Sequence, residues 1–171
     1  GRGQFRSDNV DTKDGNLRLK IPKKDFDGAQ ISSEKKYGYG SYTARIKVPD
    51  APTSITGFFL YEPPDFQSEV DIEIHNDPKG RILFTTYADG EQTHTRTMDL
   101  PFDPTKKFHD YGFEYRKDEI IFHVDDRPMT TFEEGIPDRP MNLYVNTWYP
   151  QWLAGKETSQ DRSVLVDSIE N

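Results

Sequence analysis

Apolar residues recur along this chain at every second position in short runs, and no stretch carries the three-and-four spacing of a long amphipathic helix. Leu17, Leu19 and Ile21 alternate with polar partners, which predicts a half-buried strand over Asn16–Ile21. The same reading predicts strands over 41–48, 55–61, 68–75, 81–87, 93–100, 111–115, 119–124, 142–148 and 163–169. Turn formers separate them: Asp14-Gly15, Pro63-Pro64-Asp65, Asp89-Gly90 and Asp125-Asp126. One short helical turn is expected over 151–154. Many short strands with turns at about 8–12-residue spacing predict an all-β sandwich or jelly roll of two antiparallel sheets. No repeat, low-complexity run or linker divides the chain, so residues 1–171 are expected to form a single domain.

Composition narrows the chemistry. Only 33% of residues are apolar while 13% are aromatic, which points to sheets held by aromatic packing or facing a ligand with aromatic rings. The formal net charge of −8 repels nucleic acid and anionic membranes, so neither is expected as a partner, and a neutral substrate fits. No window approaches the ~20 apolar residues of a membrane span. The absence of cysteine excludes a thiolate metal site, a disulfide framework and a thiol nucleophile.

The strand Ser68–His75 carries the most informative pattern. Alternation sends Val70, Ile72 and Ile74 to one face and Glu69, Asp71, Glu73 and His75 to the other. Three neighbouring acids on one face repel each other, which an ordinary solvated strand rarely tolerates without counterions. At ~3.3 Å per residue the Cα atoms of Glu69 and Glu73 lie about 13 Å apart, and side chains leaning together close much of that gap. A carboxyl separation of ~5–5.5 Å serves a retaining glycosidase and roughly 6.5–9.5 Å an inverting one. The shared negative field should hold a proton on one member of the group near neutral pH. The residues alone leave two rivals open: a solvated acidic face, and a metal site built from Asp71, Glu73 and His75.

The flanking motifs add a family likeness. Glu69-Val70-Asp71-Ile72-Glu73 resembles the E-[ILV]-D-[IVF]-E signature of glycoside hydrolase family 16, which includes lichenases and laminarinases. Lys36-Tyr37-Gly38-Tyr39-Gly40-Ser41-Tyr42 is similar to the family's F/Y-G-Y-G-x-Y/F-E strand, and Gly57-Phe58-Phe59-Leu60-Tyr61 to its S-x-F-F-x-Y segment. Phe108 to Tyr115 resembles F-H-x-Y-x-F-x-W, Ile121 to Asp126 resembles I-x-F-Y-V-D-G, and Asn146-Thr147-Trp148 with Trp152-Leu153 resembles N-x-W…W-L. The likeness runs from about Asn9 to the C-terminus.

That resemblance implies a jelly roll with a concave cleft, Glu69 as nucleophile, Glu73 as acid/base and Asp71 as the assisting carboxylate. It implies a secreted, retaining endo-β-glycosidase acting on a β-linked polysaccharide, a β-1,3- or mixed β-1,3/1,4-glucan above others. A polysaccharide transglycosylase and a non-catalytic carbohydrate-binding jelly roll are the alternatives. Asn146, Trp148, Trp152, His75, Gln30 and Phe58 are expected to touch substrate. No cofactor is required; a structural calcium on the convex side is compatible with the family, with no residues assigned. A monomer is expected. The chain also departs from the pattern. Gln67-Ser68 stands where lichenases often have Trp-Asp, Gln30 where they tend to have Glu, and Thr85 where they have Asn. Relative to the family, an N-terminal strand region of roughly two dozen residues is expected to be missing, leaving a sheet edge open.

Overall fold

Three two-residue turns set much of the strand register. Asp14-Gly15, Asp89-Gly90 and Asp125-Asp126 each place both residues at positive φ (53° and 82°, 54° and 90°, 51° and 63°). These are the paired left-handed conformations whose twist matches that of flanking antiparallel strands. The third lacks glycine, and its carboxylate offsets part of the cost. Asp125 accepts hydrogen bonds from the Asp110 backbone N–H at 2.9 Å and the His109 ring at 2.7 Å.

The computed structural model describes all 171 residues. It comprises β1 (Val10–Lys13), β2 (Asn16–Ile21), β3 (Ala29–Tyr37), β4 (Gly40–Lys47), β5 (Ile55–Glu62), β6 (Ser68–His75) and β7 (Arg81–Ala88). β8 (Glu91–Asp99), β9 (His109–Tyr115), β10 (Ile120–Val124), β11 (Arg127–Phe132), β12 (Met141–Trp148) and β13 (Arg162–Glu170) follow. A seven-stranded sheet has the order β1-β2-β13-β4-β9-β10-β11, and a six-stranded sheet the order β3-β12-β5-β6-β7-β8. Between them lies one aromatic-rich core in which Phe58 meets Phe113 at 5.8 Å and Phe84 meets Phe122 at 4.7 Å. The all-β sandwich of two antiparallel sheets therefore stands as the alternation predicted.

Three strands escape the pattern, and each lies at a sheet edge. β1, β3 and β11 each pair on one side only. Half-solvated edges need few apolar residues, so β3 reads Gln-Ile-Ser-Ser-Glu-Lys-Lys with Ile31 as its main apolar signal. β11 carries Pro128 beside a register shift, as suits a residue with no N–H to give the ladder. The helical turn expected over 151–154 is instead a tight turn, with the Leu153 N–H on the Pro150 carbonyl at 3.2 Å.

A buried polar knot ties the ends of β5, β6 and β12 together. Thr56 donates to Asn76 Oδ1 at 2.6 Å, while Asn76 Nδ2 donates to Ser54 at 2.9 Å and to Thr147 at 3.1 Å. Thr147 in turn donates to the Ile55 carbonyl at 2.9 Å. Truncating Asn76 strands three partners away from water. Asn76→Ala is expected to lose about 2 kcal/mol or more of stability, read as a drop of roughly 4–8 °C in the thermal midpoint. An unchanged midpoint would show that the knot contributes nothing.

Candidate active site

β6 lies near the middle of the six-stranded sheet, hydrogen-bonded on both sides. Val70, Ile72 and Ile74 are wholly buried in the core. Alternation therefore delivers Glu69, Asp71, Glu73 and His75 to the face turned away from it. Register fixes their neighbours. Glu69 lies between Tyr61 of β5 and Tyr87 of β7, Asp71 between Phe59 and Thr85, and Glu73 between Gly57 and Leu83.

These side chains floor a trough of about 220 Å³ in which Glu69, Asp71 and Glu73 meet Phe59 and Tyr87, with Asn146, Trp148 and Trp152 along it. Gly57 keeps the trough open beside Glu73. A Cβ there would stand 2.7 Å from Asn146 Oδ1 and 3.3 Å from the Phe59 ring. Asn146 and Trp148 also line a second hollow of about 190 Å³, together with Gly3, Phe5 and Phe26.

The three acids differ in how tightly they hold a proton. Burial pushes Asp71 well above the usual carboxylate range, and the charges of Glu69 and Glu73 push it further. Glu73 is pushed up to about 7, first by burial and then by the charge on Glu69. Glu69 is raised by burial as well, with a hydrogen bond from Asp71 opposing part of that rise. No Lys or Arg lines the trough beside them. Burial, rather than the mutual field expected from the sequence, is the leading cause. The resulting division is an Asp71 that holds its proton and donates a hydrogen bond to Glu69, beside a Glu73 pushed up to about 7.

The substrate-binding candidates distribute unevenly. Asn146 lies in the trough, where its Nδ2 donates to Gln30 Oε1 at 3.1 Å and its buried Oδ1 has no protein partner. Trp148 lines both hollows. Trp152 is 53% exposed and edge-on to His75, with ring centroids 6.2 Å apart. His75 itself is buried, and that burial lowers its proton affinity. Phe58 is a correction: it is fully buried in the core against Phe113, because strand alternation gives the trough to its neighbour. Phe59 takes that place and stacks on Tyr144 at 5.0 Å and 3°, with Tyr61 edge-on to the same ring. Thr85, on the trough face opposite Asp71, is buried with its hydroxyl 3.3 Å from that of Thr95.

Sequence reasoning missed Gly57, Phe59 and Tyr87. The signal for Tyr87 was present, since it shares the parity of Thr85 on one strand. For Phe59 and Gly57 the missing information was which face of β5 meets the core.

Residues 2–167 match the sequence profile of glycosyl hydrolases family 16. The chain belongs to that family. Among its relatives, a beta-glucanase of Paenibacillus macerans is 32% identical over 160 residues, which cover 87% of this chain and 68% of that protein. A xyloglucan endotransglucosylase of Diospyros kaki is 30% identical over 142 residues, 76% of this chain and 48% of the plant protein. The crystal structure of a prokaryotic beta-1,3-1,4-glucanase (lichenase) from a mouse hindgut metagenome aligns with a TM-score of 0.87 at 28% identity. That alignment covers 96% of this chain and 83% of the lichenase. The family 16 chain thus spans about two thirds of the length of the bacterial beta-glucanase and shares the β-jelly-roll sandwich of the lichenase.

Proposed function

We propose that the protein is a retaining endo-β-glucanase that cleaves a β-1,3- or mixed β-1,3/1,4-glucan, with Glu69, Asp71 and Glu73 as its catalytic carboxylates. One observation carries the mechanism: three acids share a trough with no cation among them, and their surroundings set their proton affinities apart. Glu69, ionised and held by the Asp71 proton, attacks the anomeric carbon as the glycosidic C–O bond breaks. Glu73 gives its proton to the departing sugar oxygen. The covalent glycosyl-enzyme cancels the charge on Glu69, which removes one of the causes that raise Glu73. Glu73 then takes a proton from water, the water oxygen attacks the anomeric carbon, and Glu69 departs as carboxylate.

In this reading Asn146 lines the sugar path beside Glu73, and Gln30 fixes its amide. Trp148 and Trp152 offer aromatic faces to the CH-rich sides of the sugars. His75 orients Trp152. The names of the bacterial relatives support the glucan class. The test is a panel of soluble β-1,3-, mixed-linkage and β-1,4-linked polysaccharides, assayed with and without chelator, with products sized by mass spectrometry. Internal cleavage of a β-1,3- or mixed-linkage glucan that persists in chelator is expected. Inactivity across the panel would refute the reading.

The Diospyros kaki relative favours a second reading, transfer of the glycosyl group to an acceptor sugar in place of water. Product sizing in excess oligosaccharide separates the two, since transfer builds chains longer than the donor fragments.

A further inference from the structure

We infer that Phe66 is a sugar-stacking platform at the β7 side of the trough and sets how the enzyme grips a glucan beyond the carboxylates. The inference rests on the glucanase reading above. The loop between β5 and β6 carries Phe66 with φ at 72°, a left-handed backbone that a bulky L-residue adopts only at a cost in stability. The ring gives little back to the fold, since Phe66 is 55% exposed and among the most exposed large apolar residues of the chain. Its aromatic contact is Tyr87, at 5.5 Å between centroids and a tilt of 36°.

The backbone around it is firmly held. The Phe66 carbonyl accepts from the Gly90 N–H at 3.0 Å, the Gln67 carbonyl from the Asp89 N–H at 3.1 Å, and the Gln67 N–H donates to the Pro64 carbonyl at 3.2 Å. Tyr61 donates its hydroxyl to Asp65 on the same loop. The ring is therefore presented by a fixed frame tied to the β7–β8 turn.

Position gives this exposed ring its meaning. Tyr87 sits directly across from Glu69 in the β6–β7 register and lines the trough with the carboxylates. Its hydroxyl is held by Gln92 Nε2 at 3.1 Å. Phe66 extends that wall outward into a two-ring aromatic step. A β-linked glucosyl unit, with its equatorial hydroxyls and apolar axial face, is the ligand whose shape and chemistry suit such a step.

The experiment compares Phe66→Ala, Phe66→Gly and Phe66→Trp with the unaltered protein on glucan oligosaccharides of increasing length, alongside thermal unfolding of each. Phe66→Ala and Phe66→Gly are expected to lower kcat/KM roughly three- to tenfold, mainly through KM, and only on oligosaccharides long enough to reach the step. Phe66→Trp is expected to keep the affinity for long oligosaccharides. Phe66→Gly is expected to unfold at the same or a higher temperature, because glycine adopts positive φ freely. Binding and stability thus move apart, which a purely structural role would not produce. Equal kinetics for all variants at every length, or losses that track lowered thermal midpoints, would overturn the inference while leaving an active glucanase. An unaltered protein inactive on every glucan would instead bring down the glucanase reading, and the platform with it.

Discussion

Glu69→Ala is expected to lower kcat on β-glucan by at least about 10⁴-fold, because the proposed mechanism assigns the covalent intermediate to Glu69. Asp71 is not expected to substitute, as burial holds its proton on it and it donates a hydrogen bond to Glu69. The shortened side chain leaves room for a small anion beside the anomeric carbon. Azide added to Glu69→Ala is expected to restore turnover of an activated aryl β-glycoside and to give the α-glycosyl azide. A single displacement inverts the centre, whereas the double displacement proposed for the unaltered enzyme retains it. Nuclear magnetic resonance of the product distinguishes the two anomers. Undiminished activity of Glu69→Ala, or azide products of retained configuration, would remove Glu69 from the role of nucleophile.

Glu73→Gln is expected to act on rate and stability in opposite directions. On polysaccharide, loss of the proton donor costs about 10²–10⁴-fold in kcat. An aryl glycoside with an acidic leaving group, which departs without protonation, loses far less in its first step. The pH profile follows from the same group. In the unaltered enzyme, activity is expected to decline as pH rises through about 7, where Glu73 gives up its proton, and at low pH as Glu69 takes one up. Glu73→Gln should lose the alkaline limb.

Stability carries the complementary sign. Glu73 binds its proton more tightly in the folded chain, up to about 7 against an ordinary 4.5. Between those values the folded state holds more protons than the unfolded one, so stability falls as pH rises through the window. The cost is complete above about pH 7 and absent below about pH 4.5. Glutamine removes it and should stabilise the protein by up to about 3 kcal/mol at pH 8, with no gain at pH 4. Thermal unfolding at the two pH values checks this, and an equal effect at both would show that Glu73 carries no raised proton affinity.

Much of this arrangement is written in local pattern. The period of two over Ser68–His75 separates the three wholly buried core residues from the acidic row, and it does so without knowledge of any neighbour. The turns at Asp14-Gly15 and Asp89-Gly90 are likewise set by residues that tolerate positive φ. The period on β5 is blind to direction, because Gly-Phe-Phe-Leu-Tyr reads as apolar on both faces. Phe58 and Phe59 therefore exchange roles once the sheet packs. Edge strands such as β3 leave little trace, since a strand open to water on one side needs few apolar residues to hold it.

The sequence by itself determined the fold class, the strand that bears the acids and the identity of those acids, because side-chain alternation is a property of the extended backbone alone. Only the tertiary structure decided which acid keeps its proton. Proton affinity depends on how deeply each carboxyl is buried and on which charges face it, and here Asp71 is sealed at the trough floor between two neighbours with no cation near. Burial and facing charge are set by the strands on either side, which the sequence leaves far apart along the chain.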